Sequence, residues 1–221
     1  MNTAVIEHPA TSQGSITSVQ PVVAVKRRTI DKVLISIGIL ASVVFAVAGG
    51  LLLWGHNFAS NYVGDELSSQ HISFPSAQAL TDGGRADLVK FADQQVNTGK
   101  EAEGYASFIN GHLQDVAEGA TYADLGAPES AAKADVKTAV DAGKPAATVA
   151  ELQAKADAIT GQRNTLFKGE TLRGLLLSAY AWSTVGMIAG IAALGAFIAA
   201  AMMAVLSILG IIHYRRTPKT A

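Results

Sequence analysis

The chain has 221 residues and no cysteine, with 49% hydrophobic residues, 16% charged residues and a formal net charge of −1. Without cysteine it can form no disulfide, c-type haem attachment or zinc ribbon. The apolar residues concentrate in two blocks, which sets the chain apart from an ordinary soluble domain.

Residues 1–30 are expected to form a disordered cytoplasmic tail, because 1–25 are rich in Thr, Ser, Val and Gln without a period. Residues 31–55 are expected to form a first transmembrane helix. Val33–Leu53 is uncharged and long enough for a hydrocarbon core about 30 Å thick at roughly 20 residues per crossing. Asp31 can cap this helix. The apolar run exceeds a signal-peptide core and no A-x-A site follows it, so no cleavage is expected.

Residues 56–172 read as an extracytoplasmic, mostly helical domain. The helix should continue some turns past Trp54, with Phe58, Tyr62 and Val63 on one face. Pro75 forces Phe74 into an extended conformation, Thr81–Gly84 reads as a turn, and Arg85–Val96 as a short helix. The clearest amphipathic helix is Gly99–Glu118. Its stripe is Tyr105, Phe108, Ile109, His112, Leu113 and Val116, with Gly119 as C-cap. Gly126-Ala-Pro128 reads as a loop, Ser130–Ala142 as a helix, and Lys144-Pro145 as its end. Thr148-Val-Ala-Glu151 has the form of a capping box that starts another helix. Leu152, Ile159 and Leu166 lie seven apart, too short a run for a sustained coiled coil.

The second apolar block, Gly174–Ile212, is too long for one crossing and too short for two, and it has no turn signal. Residues 173–213 are therefore read as a juxtamembrane segment and one span, with Ile188–Ile211 in the bilayer. No Pro lies between Thr148 and Tyr214, so this span should be continuous with a long outer helix. Tyr180, Trp182, Trp54 and Tyr214 suit interfacial belts, and residues 214–221 a second cytoplasmic tail. Lys26, Arg27, Arg28 and Lys32 precede the first span, and Arg215, Arg216 and Lys219 follow the second. By the positive-inside rule both termini are cytoplasmic. The stretch between Trp54 and Gly174 carries 10 Lys/Arg against 16 Asp/Glu, and the remainder 7 against 2. An acidic outer domain speaks against a nucleic-acid partner. The fold class read from the sequence is thus an all-α membrane protein, with two spans flanking an outer helical domain.

Gly186-Met-Ile-Ala-Gly190 is a GxxxG. With Ala192, Ala196 and Ala200 (and Ala204 beyond) it forms a ridge of small residues on which another helix can pack. The first span offers Gly38, Ala41, Ala48, Gly49 and Gly50. The ridge serves either the chain's own first span, a second copy or another membrane protein. His8, His56, His71, His112 and His213 show no metal-ligand spacing, and His112 reads as a packed histidine. Asp65-Glu66 and Glu101-x-Glu103 read as solvated surface. No nucleophile elbow, HExxH, P-loop or dinucleotide fingerprint occurs. No catalytic, cofactor or metal site is expected. The spans hold no ionisable residue, which disfavours an ion pathway.

The stretches Asp65-Glu-Leu through His71-Ile-Ser-Phe-Pro75, Gly104–Leu113, Gly119–Leu125 and Arg163–Tyr180 carry a resemblance. With them the chain resembles a family of small actinobacterial membrane proteins with two spans and an outer helical domain. Many of that family carry a label as an aromatic ring-opening dioxygenase subunit. The resemblance implies membrane location and topology but no reaction. Non-haem iron oxygenases need a cluster such as two His and one carboxylate, which the spacing here does not supply. The function expected is a non-enzymatic, membrane-anchored scaffold or accessory subunit of a cell-envelope complex. The alternative is an enzyme, or a small-molecule or lipid binder with a pocket between the outer helices.

Overall fold

The computed structural model describes residues 27–216, so most of the tails expected at 1–30 and 214–221 lies outside the described residues, and the parts that are described, 27–30 and 214–216, continue the helices. The described chain is helical, without a strand. Helix α1 spans Arg27–Ser69, α2 Ala77–Asp82, a 3₁₀ turn Ala86–Phe91, α3 Gly99–Val116, α4 Gly126–Asp141 and α5 Ala146–Arg216. α1 and α5 are long and apolar enough to cross a membrane. They run antiparallel along each other, and α2, α3 and α4 pack around one end of the pair.

α1 can run for 43 residues because no Pro interrupts it; Pro would clash with the preceding turn and remove a bond. It ends before His71, which has a φ of 52°, and the approach to Pro75 is extended. There Ser73 pairs with Gln95 in one antiparallel bridge, flanked by Phe74 N–H to Gln94 O at 2.9 Å and Val96 N–H to Ile72 O at 2.8 Å. Ser76 caps α2 by accepting from the Ala79 N–H. The helix expected over Arg85–Val96 is only the 3₁₀ turn, because its second half is drawn into the bridge.

α3 starts from a capping box formed by Thr98 and Glu101. Thr98 Oγ1 accepts from Glu101 N–H, and Glu101 Oε2 accepts from the Thr98 N–H at 2.9 Å. Its C-cap is Ala117, not Gly119. Gly119 takes a φ of 84° two residues on, and its N–H bonds Gln114 O at 2.9 Å. The face that α3 buries includes Leu113 of the predicted stripe, with Ile109 packed on both clusters, but its most buried residues lie beside that stripe, and His112 and Val116 are exposed. Gly99, Ala102, Gly104, Ala106 and Leu113 are buried, Tyr105 and Phe108 are half-buried, and His112 is exposed with its ring stacked on Phe108. Small residues face α5 because the two helices approach closely there. A Cβ on Gly99 would collide with Ser183, and one on Gly169 with the Leu113 side chain.

Gly126-Ala-Pro128 is not a loop but the first turn of α4. The missing proline N–H costs nothing there, since first-turn donors have no intrahelical partner. α5 starts at Ala146 rather than at Thr148. The Pro145 carbonyl accepts from the N–H groups of Thr148 and Val149, so Thr148 sits inside the first turn and forms no capping box. From there α5 continues unbroken for 71 residues, so the second apolar block and the helix before it are one element.

Two apolar clusters hold α2, the 3₁₀ turn and α3 on the long pair. The larger joins Val63 and Leu67 of α1, Phe74, Leu80, Leu88, Val96, the α3 alanines 102 and 106, and Leu176 of α5. Phe74 stacks on Phe91 at 5.2 Å and meets Tyr105 edge-on at 5.2 Å. Each fully buried Leu or Val stabilises by about 1.5–3 kcal/mol. This cluster therefore ties the C-terminal part of α1 to the middle of α5. The smaller cluster packs Leu113 and Ala117 against Leu166. α4 is fastened by polar groups: the buried Glu129 carboxylate receives Lys133 Nζ at 2.6 Å, Thr160 Oγ1 at 2.9 Å and Arg163 Nη1 at 2.6 Å.

Candidate functional site

Two features stand out: the seam between α1 and α5, and a groove where that seam meets α3. On α5 the buried seam residues are Gly186, Ala193, Ala200 and Ser207, at steps of seven. On α1 the seam carries Ser42, Gly49, His56 and Val63 at the same spacing. A seven-residue repeat keeps one line of contact facing its partner along two helices inclined by about 20°.

The contacts along the seam are close. A Cβ on Gly186 would lie 2.9 Å from Ala59 Cβ, and one on Gly190 would lie 2.9 Å from His56 Nδ1. Gly49 leaves room for the Phe197 ring. His56 Nδ1 lies 2.8 Å from the Gly186 carbonyl oxygen. A carbonyl can only accept, so the imidazole carries its proton on Nδ1. Ser42 Oγ donates to the Ala200 carbonyl at 2.9 Å, and Ser207 Oγ to Met203 O at 2.7 Å. At the far end Arg28 lies 4.7 Å from the centroid of the Tyr214 ring.

The small-residue ridge is therefore placed as follows. Gly186 and Ala200 are buried in the seam, Gly190 and Ala196 are half-buried along it, and Ala192 is exposed on another face. Stepping by four residues drifts about 40° around a helix of 3.6 residues per turn, whereas stepping by seven stays within about 20°. Ala193 thus occupies the place the ridge gave to Ala192. In α1, Gly38 and Gly49 are buried while Gly50 is exposed. The partner that the ridge meets is the chain's own α1. His56 was not singled out by sequence, because a lone histidine at a helix position carries no spacing signal. Its signal was the facing pair Gly186 and Gly190, which makes room for a ring.

The groove lies beside the seam, between α1, α3 and α5, with a volume of about 530 Å³. Leu175, Ala179 and Trp182 form one wall and Tyr62, Glu66 and Gln70 the other, over Tyr105 and Ile109. Trp182 and Tyr62 are more than half exposed at its mouth. Trp54, Phe58 and Tyr62 stack in a ladder along α1 toward this mouth, with centroids 5.7 and 6.1 Å apart. Apart from the groove lining, Tyr122 and Phe167 form an exposed aromatic pair at 5.8 Å. Arg163 sits over the Tyr122 ring at 4.1 Å.

Among the described residues no group of three or more His, Cys, Asp or Glu side chains comes together. Asp65-Glu66 and Glu101-x-Glu103 form no joint carboxylate pair; Glu66 lines the groove and Glu101 caps α3. The Asp87 carboxyl is held below its ordinary range chiefly by its bond from Arg85, and Asp124 by bonds from Thr121. Glu129 is lowered to about 2, first by its bond from Lys133 and then by those from Arg163 and Thr160. The Asp87 and Asp124 bonds are local and those of Glu129 tie α4 to α5; none of the three carboxylates lines the groove. Compared with known protein families, curated proteins and solved structures, the chain matches none.

Proposed function

We propose that this protein is a two-span membrane protein whose outer helices form a rigid, non-catalytic scaffold or accessory module of a cell-envelope complex. Both termini lie in the cytoplasm and the region between the spans lies outside, as the cations at Arg27, Arg28, Lys32, Arg215 and Arg216 favour. Support for the spans comes from their outer faces, where residues such as Leu40, Leu51, Ile191 and Leu206 are exposed and apolar. Contiguous apolar surface of that extent belongs in lipid or against another protein. The proposal agrees with the topology that the actinobacterial resemblance implies, and the dioxygenase label plays no part in it.

The observation that carries the scaffold reading is the exposed pair Tyr122 and Phe167. These rings are 41% and 58% exposed, yet Arg163 and Glu129 hold the Tyr122 side in place. Rigid aromatic side chains bury large area at low entropic cost, which suits a protein-binding surface. The test is native electrophoresis after mild detergent extraction from the source membrane. A complex heavier than the bare protein is expected, and Tyr122→Ala with Phe167→Ala should dissolve it without lowering the melting temperature. A protein that runs alone in every mild detergent, or a complex indifferent to both changes, would defeat the scaffold reading. Binding of a lipid or small molecule is the second reading, favoured by the groove.

A further inference from the structure

The groove between Tyr62 and Trp182 at one end and Gln70 and Leu172 at the other runs parallel to α5. Leu172 to Trp182 is about ten residues, or about 15 Å at 1.5 Å per residue. That is half of a hydrocarbon core about 30 Å thick, the length of the chains in one leaflet. Its volume of about 530 Å³ lies within the range of pockets that enclose small ligands.

We propose that this groove holds one acyl chain of a lipid drawn from the outer leaflet. The inference rests on the two-span topology proposed above. Three observations select this occupant. Tyr62 and Trp182 form the end of the groove nearer the apolar stretches of α1 and α5, and this end continues the Trp54–Phe58–Tyr62 ladder, so a row of aromatic rings leads from the bilayer to the groove. Its walls are mostly aliphatic and aromatic, with Leu172 and Leu175 more than half exposed. These side chains gain most from a flexible apolar occupant, because each methylene buried contributes about 0.8 kcal/mol. The one charged side chain in its lining among the described residues is Glu66. No lysine or arginine there would receive a free fatty acid or an anionic headgroup, and Glu66 would repel one. The lipid is therefore zwitterionic or neutral, with its chain along Leu175 and Ala179.

The experiment uses the full chain in phosphatidylcholine nanodiscs that contain phosphatidylcholine with a photoactivatable diazirine at the end of one acyl chain. After illumination, adducts are mapped by peptide mass spectrometry. Adducts are expected on the spans and also on the groove residues Ile109, Leu172 and Leu175. Ala179→Trp, which fills the groove from the inner part of the α5 wall, and Ser178→Trp, which fills it from the exposed part, should each lower groove adducts about tenfold, the loss expected when a couple of chain methylenes can no longer be buried. Both should leave the span adducts unchanged. The same diazirine chain on phosphatidylglycerol should label the spans equally and the groove less.

Adducts confined to 33–58 and 185–212 would overturn the proposal while leaving the two-span reading intact. No adducts on either stretch would overturn both. A groove free of adducts in a protein that cross-links as a dimer would replace the lipid with a second copy. Equal groove labelling by the two headgroups would overturn the assignment to a zwitterionic or neutral lipid.

Discussion

The imidazole of His56 donates from Nδ1 to the carbonyl oxygen of Gly186, 2.8 Å away and 130 residues on in the chain. That carbonyl belongs to the GxxxG step of α5, and the missing side chains of Gly186 and Gly190 let the ring reach it. The Gly186 carbonyl is buried and the His56 ring half-buried in the seam, so water is a poor alternative partner for either. His56→Ala should therefore lower the stability of the α1–α5 pair by about 1 kcal/mol, the scale of interhelical hydrogen bonds in membranes. Thermal unfolding in detergent would measure it. An unchanged melting temperature would mean that the bond does not hold the pair together.

The seam makes a sharper prediction about register. Ala192 and Ala193 are adjacent and chemically identical, but Ala193 is buried and Ala192 exposed. Ala193→Leu should push α1 away and destabilise by about 1–3 kcal/mol, as overpacking does. Ala192→Leu should change little. Gly190→Leu should behave like Ala193→Leu, because His56 already occupies the space. Leu206→Ile on the exposed face is the silent control. If Ala192→Leu and Ala193→Leu unfold at the same temperature, α5 does not present this face to α1.

How far the sequence revealed the seam follows from the same residues. The two apolar stretches, the unbroken run to the end of α5 and the small-residue character near Gly186 were all legible, because length, proline placement and side-chain size are local properties. The face was not. Small residues are so common in α5 that steps of four and steps of seven both find them. Only the position of α1 decides between Ala192 and Ala193. The same holds for α3, where large apolar residues marked Tyr105 to Val116 as the buried stripe. Leu113 of that stripe does pack on Gly169, but the close approach to Ser183 also buries the side bearing Gly99, Ala102 and Ala106 and leaves His112 and Val116 exposed. The groove was illegible for a related reason. Its walls come from residues 62–72, 105–109 and 172–182, and no single segment looks like a site.

Topology has its own test. The cations at Lys26–Arg28 and Arg215–Arg216 should keep both ends inside. A reporter active only in the cytoplasm should work when fused after Ala221, and one active only after export should work when inserted at Gly143. Gly143 is exposed with a φ of 62° in the turn between α4 and α5. Activity of the exported reporter at the C-terminus would reverse the assignment of the second span.

The last prediction concerns acid. Glu129 is 7% exposed and joins α4 to α5 by accepting from Thr160 Oγ1 and Arg163 Nη1. Its carboxyl is lowered from 4.5 to about 2, with the bond from Lys133 as the largest cause. A group that binds protons less readily when folded stabilises the fold wherever the unfolded chain would already be ionised. The Glu129 contribution is thus complete above about pH 4.5 and is lost as pH falls through about 2. Between those values the α4–α5 contact should loosen while the α1–α5 seam, which holds no carboxylate between Val33 and Leu53 or between Ile188 and Ile211, stays closed. Hydrogen exchange over Gly126–Asp141 should therefore accelerate in that window before exchange over Ile188–Ile211 does. Glu129→Gln removes the proton-linked group and leaves Arg163 without its anion. It should give fast exchange in α4 already at neutral pH, with little further change on acidification. If the variant keeps the wild-type acid response, another carboxylate governs the opening, and Glu129 does not fasten α4.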